Sequence, residues 1–131
     1  GSQAGLTSYY STTTYISFSI RLDSQKKRIL VLAVNTGSGE KIISQVKDIP
    51  EGKIFLKITT DGLSRTFSAA SLKNKSATFF EHSVYAPFLS DEGNKLERKR
   101  HTGTLTGMYG NSPETKNFPK AVFTCFNMKL L

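Results

Sequence analysis

The sequence predicts an all-β protein, an antiparallel β-sandwich, from three observations. Apolar and polar residues alternate at every second position in several segments, which is the period of a strand with one buried face. Turn-forming residues separate these segments at intervals of roughly eight to twelve residues, as in sandwiches. No stretch of about ten residues or more has the 3.6-residue period of an amphipathic helix. With 131 residues, the chain is long enough for one domain with one core.

The first half of the chain predicts three strands from its residue pattern. Residues 14–23 alternate, and residues 29–34 (ILVLAV) are apolar at every position, as expected of a central strand covered on both sides. A short strand near residues 42–46 ends before Pro50, which has no N–H to offer a strand ladder.

The strand at residues 14–23 is predicted to be half-buried. Two sets of side chains fall on its opposite faces: Ile16, Phe18, Ile20 and Leu22 on one, and Tyr15, Ser17, Ser19 and Arg21 on the other. The apolar set is expected to face the core.

A hairpin is predicted in the second half of the chain. Residues 54–58 alternate, Asp61-Gly62 supplies a turn that needs positive φ, and residues 64–72 form the return strand. Residues 101–110 (HTGTLTGMYG) predict a further strand, and we expect its glycines at positions where a side chain would obstruct the close approach of another backbone. These glycines are Gly103, Gly107 and Gly110.

Five segments, in the same order along the chain, resemble the C-terminal domain of glycoside hydrolase family 43, which includes β-xylosidases and arabinofuranosidases. The most specific is residues 89–110 (LSDEGNKLERKRHTGTLTGMYG). The others are residues 3–10 (QAGLTSYY), 14–23 (TYISFSIRLD), 50–62 (PEGKIFLKITTDG) and 121–130 (AVFTCFNMKL). The first of these resembles a strand of the family, and the last resembles the family's closing strand.

The resemblance implies a Concanavalin A-like jelly roll that lacks its first strands. Residues 1–2 look like a cloning remnant, which leaves residues 3–131 as a single sandwich domain. Absent front strands would leave unpaired sheet edges, and such edges favour pairing with a second chain. We therefore expect either a shortened domain or a second chain that completes the sandwich.

The resemblance also implies an accessory role, with catalysis carried out by a separate propeller domain. The implied substrate of the parent enzyme is xylan or arabinoxylan. Asp91 and Glu92 are the only adjacent acidic pair, and we interpret them as solvated loop residues, with calcium ligation as a weaker alternative. No catalytic residue and no cofactor are expected in this chain.

Arg100 and His101 lie where the family has a loop at the rim of the propeller's pocket. His101 occupies the place of a family aromatic residue, so the resemblance implies that it contacts the pocket. The alternative is a histidine that is simply exposed at the start of a strand. Phe88 and Tyr109 are added as rim or saccharide-binding candidates, since sugar rings stack on aromatic faces.

The remaining aromatic residues divide into candidate platforms and core. Tyr9, Tyr10 and Tyr15 are further platform candidates, and the chain contains no tryptophan. Four phenylalanines are assigned to the core: Phe18, Phe67, Phe123 and Phe126. The single cysteine, Cys125, is expected to fill core space in the last strand.

The net charge of +8 keeps a nucleic-acid-binding β domain open as an alternative. The basic segment at residues 95–101 (KLERKRH) is short, however, and we interpret it as a solvated basic loop in preference to a nucleic-acid contact. A free-standing carbohydrate-binding module is the other alternative. The longest apolar run, residues 29–34, is too short to span a bilayer, so no membrane partner is expected.

The purified chain is predicted not to hydrolyse glycosides. Its carboxylates are scattered, whereas hydrolysis needs two of them about 5 to 10 Å apart across the scissile bond. Incubation with an aryl-xyloside should release no phenol above the rate of a heat-denatured sample. Turnover that a single Asp or Glu substitution abolishes would contradict this prediction.

Overall fold

The computed structural model describes residues 2–71, 77–89, 105–112, 121–123 and 126–128. These contain eight strands and a 3₁₀ turn, Pro87–Leu89. The strands are β1 (Gln3–Ser11), β2 (Thr14–Leu22), β3 (Arg28–Thr36), β4 (Glu40–Val46), β5 (Ile54–Asp61), β6 (Ser64–Ser71), β7 (Thr78–Tyr85) and β8 (Leu105–Asn111). Among the described residues no helix is long and apolar enough to cross a bilayer.

The strands form two antiparallel sheets, which confirms the all-β sandwich. The larger sheet has the order β4-β3-β2-β1-β8, and the smaller has the order β5-β6-β7. Within each sheet, strands that are consecutive in the chain are neighbours, and β8 returns to the first sheet to pair with β1. The hairpin between β5 and β6 turns at Gly62, whose φ of 58° lies in the left-handed region as predicted.

The hydrophobic core lies between the two sheets. Phe18 of β2 and Phe67 of β6 meet edge to face, with ring centroids 5.5 Å apart and planes at 70°. Both side chains are fully buried, and this geometry is favourable for aromatic pairs. Leu89 of the 3₁₀ turn closes the same cluster. The assignment of Phe18 and Phe67 to the core is confirmed.

The strands β2 and β3 are buried on both faces. For β3 this confirms the prediction, since Leu32 in the core and Ala33 on the opposite face are both inaccessible to solvent. For β2 the half-buried prediction is wrong, because Ser17 and Ser19 on its polar face are 3% and 0% exposed. The long side chain of Arg21 lies over both serines and donates a hydrogen bond to each.

The expected closing strand is not found in the described residues near the C-terminus. Residues 121–123 and 126–128 carry no strand assignment. Phe123 and Phe126 are each 45% exposed, so their assignment to the core is wrong. Neither segment forms a strand in the described part of the chain, so the two-residue alternation of a strand does not direct these rings between the sheets. Cys125 lies outside the described residues.

The close backbone approach occurs at Gly5, and the expectation for the β8 glycines is wrong. A Cβ atom on Gly107 would meet nothing within 4 Å, and one on Gly110 would only reach the Gln3 carbonyl oxygen at 3.9 Å. A Cβ atom on Gly5 would instead collide with the Phe18 carbonyl oxygen and lie 2.6 Å from Ser19 Cα. Gly103 lies outside the described residues.

We predict that Gly5→Ala destabilises the fold and that Gly107→Ala does not. The methyl group that Gly5→Ala adds must displace the β2 backbone, which should lower the free energy of unfolding by about 1–3 kcal/mol. The matched change at Gly107, on the neighbouring strand, has open space and should stay within about 0.5 kcal/mol. Urea unfolding followed by circular dichroism measures both, and equal stabilities for the two variants would contradict the prediction.

Candidate functional site

A half-open cleft with a volume of about 250 Å³ lies on the face of the five-stranded sheet that points away from the core. We call it the tyrosine cleft, after three of its lining residues, Tyr9, Tyr15 and Tyr109. Polar side chains complete the lining: Gln3, Thr7, Ser17, Glu40 and Asn111. They belong to β1, β2, β4 and β8, so the site spans the whole sheet.

Tyr109 reaches across β1 to connect three strands. In the strand register Tyr109 lies opposite Gly5, which has no side chain to stand between Tyr109 and β2. The Tyr109 hydroxyl donates to Gln3 Oε1 at 2.7 Å and lies 3.1 Å from Ser17 Oγ on β2. Because Gly5 has no side chain, the Tyr109 phenol can lie across β1 and reach Ser17 on β2.

An ion pair forms the other side of the network. Arg21 donates from Nη1 to Glu40 Oε1 at 2.8 Å, and its remaining nitrogens bind Ser17 and Ser19 at 3.0 Å. The second oxygen of Glu40 accepts from the Tyr15 hydroxyl at 3.0 Å. Because the carboxylate and guanidinium neutralise each other, the cleft presents oriented polar groups without a net charge from this pair.

The environment of Tyr15 favours its neutral phenol. Burial raises the pKa of Tyr15 above its usual value, and the nearby Glu40 carboxylate raises it further, while Asn35 and Arg21 act in the opposite direction. Tyr15 is therefore a hydrogen-bond donor throughout the physiological range, and no acid–base role near neutrality is expected of it.

Two polar groups of the cleft remain available to a ligand. Within the part of the chain that the structure describes, neither the Tyr9 hydroxyl nor the Asn111 amide has a hydrogen-bond partner. Tyr9 and Tyr15 are register partners on adjacent strands, so their rings lie side by side on one face. The cleft therefore combines aromatic surface with unoccupied donors and acceptors, the composition of a small-molecule site.

The structure does not bring Tyr109 and Phe88 together. Tyr109 lies in the tyrosine cleft, whereas Phe88, in the 3₁₀ turn, is packed against the core cluster. Tyr10, a candidate platform, is only 7% exposed and belongs to the core. Arg100, His101, Asp91 and Glu92 lie outside the described residues, as does the basic segment 95–101.

Sequence reasoning named the three cleft tyrosines but missed their polar partners. Gln3, Glu40 and Asn111 come from three different strands, and no local motif joins them. A partial signal existed in β2, where Tyr15, Ser17 and Arg21 follow one another on a single face. Among the described residues no group of three His, Cys, Asp or Glu side chains could hold a metal ion.

A buried charged side chain lies on the smaller sheet. Arg65 of β6 is 8% exposed, and burial lowers its pKa. Its Nη1 donates to the carbonyl oxygens of Gly62 and Ser64, so this cation holds the β5–β6 hairpin. Arg65 does not belong to the lining of the tyrosine cleft, and we interpret it as structural.

We predict that Tyr109→Phe destabilises the protein by about 1 kcal/mol, because Gln3 Oε1 and Ser17 Oγ lose the phenol that they contact. The control is Tyr85→Phe, at a tyrosine that is 69% exposed, which should change stability by less than about 0.5 kcal/mol. Urea unfolding of both variants tests this, and an unchanged midpoint for Tyr109→Phe would show that the hydroxyl does not hold the sheet.

Comparisons with known proteins agree with this architecture. The sequence profile of the β-xylosidase C-terminal Concanavalin A-like domain matches residues 1–129. The crystal structure of the GH43 protein BlXynB from Bacillus licheniformis is 29% identical with a TM-score of 0.72, and the match covers 85% of this chain and 21% of that one.

A second solved structure shares the fold. Xylan beta-1,4-xylosidase from Bacillus halodurans C-125 is 20% identical with a TM-score of 0.71, and the match covers 83% of this chain and 21% of that one. The chain thus spans about a fifth of the length of these relatives. A comparison with curated protein sequences gives no significant match. The profile match covers nearly the whole chain, so this protein belongs to the family of β-xylosidase C-terminal Concanavalin A-like domains, found in glycoside hydrolase family 43.

Proposed function

We propose that this chain is the accessory domain of a family 43 glycoside hydrolase that acts on xylan or arabinoxylan. The single observation that carries the proposal is the profile match over residues 1–129. The match covers 21% of the length of the similar GH43 protein, which supports the view that the domain works as one part of a longer enzyme.

The domain is proposed to pack on the catalytic propeller and to shape the rim of its pocket. Arg100 and His101 are the residues that carry this rim role, on the family resemblance. Edge strands support packing against another body, because β4, β5, β7 and β8 each have one strand neighbour in the described residues. The same edges could accept strands from a second chain, the other route by which the sandwich would be completed.

A carbohydrate-binding module is the second candidate function, and the tyrosine cleft favours it. An aromatic surface with convergent hydroxyl and amide groups suits a saccharide better than a nucleic acid, whose affinity depends on exposed cations. The Arg21 guanidinium in the network is already paired with Glu40.

We predict that His101→Ala, in the protein encoded by the full-length gene, lowers kcat/KM for an aryl-xyloside by about tenfold, the loss of one positioned contact of about 1.4 kcal/mol. Deleting residues 3–131 should lower both activity and the melting temperature of the remaining enzyme.

Lys27→Ala is the matched control, since Lys27 is exposed between β2 and β3, which are not edge strands, and it should leave both quantities unchanged. A deletion variant with the activity and melting temperature of the intact enzyme would contradict the proposed packing. An effect of the deletion without an effect of His101→Ala would restrict the domain to a stabilising role.

A further inference from the structure

We infer that the tyrosine cleft is a binding site for one residue of a neutral saccharide. This site is formed by the outer face of the five-stranded sheet and not by the loop that contains Arg100 and His101. The inference rests on the proposed function only in the choice of a pentose chain as the ligand. Its location rests on the geometry of the described strands.

The first support is the aromatic surface. Tyr9 and Tyr15 are cross-strand partners on the outer face, and Tyr109 stands over the same face from β8. Sugar rings expose C–H faces that pack on aromatic rings, while their edges carry hydroxyl groups. Three tyrosines around one cleft meet both requirements, because each also carries a phenol at its tip.

The second support is the state of the hydrogen bonds. Tyr109 and Tyr15 are held by Gln3 and Glu40, so their rings are fixed before any ligand arrives. The Tyr9 hydroxyl and the Asn111 amide, by contrast, have no partner in the described part of the chain. A ligand can therefore form new hydrogen bonds there without breaking the network that shapes the cleft.

The third support is the charge and size of the cleft. Glu40 is neutralised by Arg21 at 2.8 Å, which leaves no unpaired cation among the lining residues to favour a phosphate or uronate. A volume of about 250 Å³ lies below the roughly 300–1,000 Å³ of drug-sized ligand pockets. The cleft therefore suits a single uncharged sugar ring, with the rest of a chain extending through its open side.

The test is a titration of the full chain with xylobiose, followed by amide chemical shifts in NMR spectra and by calorimetry. Saturable binding with a Kd of about 1 mM and shifts centred on Tyr9 and Asn111 are expected. Tyr9→Ala and Glu40→Gln should each weaken binding about tenfold. Glu40→Gln keeps the shape of the side chain, and its melting temperature shows whether the sheet is intact.

Tyr85→Ala is the matched control, because Tyr85 is an exposed tyrosine on the smaller sheet. It should bind xylobiose like the unmodified chain. The inference is overturned by shifts that map elsewhere, by unchanged affinity in both cleft variants, by tighter binding of glucuronate than of xylobiose, or by the absence of saturable binding.

These outcomes are separable from the proposed function. If xylobiose does not bind but deletion of residues 3–131 still impairs the full-length enzyme, the cleft assignment fails and the accessory role stands. If xylobiose binds in the cleft and the deletion has no effect, the packing proposal fails and the cleft assignment stands.

Discussion

The contact between Phe18 and Phe67 constrains more of this structure than any other interaction. It joins the two sheets at the centre of the core. Because neighbouring residues in a strand point to opposite faces, placing Phe18 in the core places Ser17 and Ser19 on the outer face. A slip of one residue in β2 would exchange these sets and bury the serines between the sheets. The floor of the tyrosine cleft is therefore a consequence of how the core is packed.

Hydrogen bonds between side chains order the outer face of the five-stranded sheet, a face that in many sandwiches is simply exposed to solvent. Ser17 and Ser19 are buried because Arg21 donates to both, and buried polar groups in native proteins are nearly always paired. Glu40 then fixes Arg21 from β4. The result is a sheet with two ordered faces, an apolar one that stabilises the fold and a polar one with defined geometry.

Most of the strands were predictable, but apart from the β5–β6 hairpin their pairing was not, and β7 has no counterpart among the predicted segments. Alternation located β2 and β5, and the Asp61-Gly62 pair located the hairpin, because both signals are local, whereas β1 was located by the family resemblance. The pairing of β1 with β8 depends on contacts between opposite ends of the chain, so the position of Tyr109 over Gly5 had no local signature. The glycines show the same limit. Gly107 and Gly5 both lie in strands, and only the strand register shows that a Cβ atom would have open space at Gly107 and would collide with the β2 backbone at Gly5. The family resemblance predicted the architecture, whereas the tyrosine cleft is visible only in the three-dimensional structure, where β1, β2, β4 and β8 bring its residues together.

The place of β1 between β2 and β8 has a consequence for how the protein is made. Gln3 and Tyr109 are 106 residues apart in sequence, so the ladder that joins them is among the most non-local in the fold, and such contacts form slowly. On a ribosome β1 emerges before β8, so the edge of β1 that β8 will cover stays unpaired until β8 has been synthesised. During that interval the nascent chain carries an unpaired edge on β1, in addition to the edges of β4, β5 and β7 that the folded domain keeps in the described residues, and other polypeptides can pair with it.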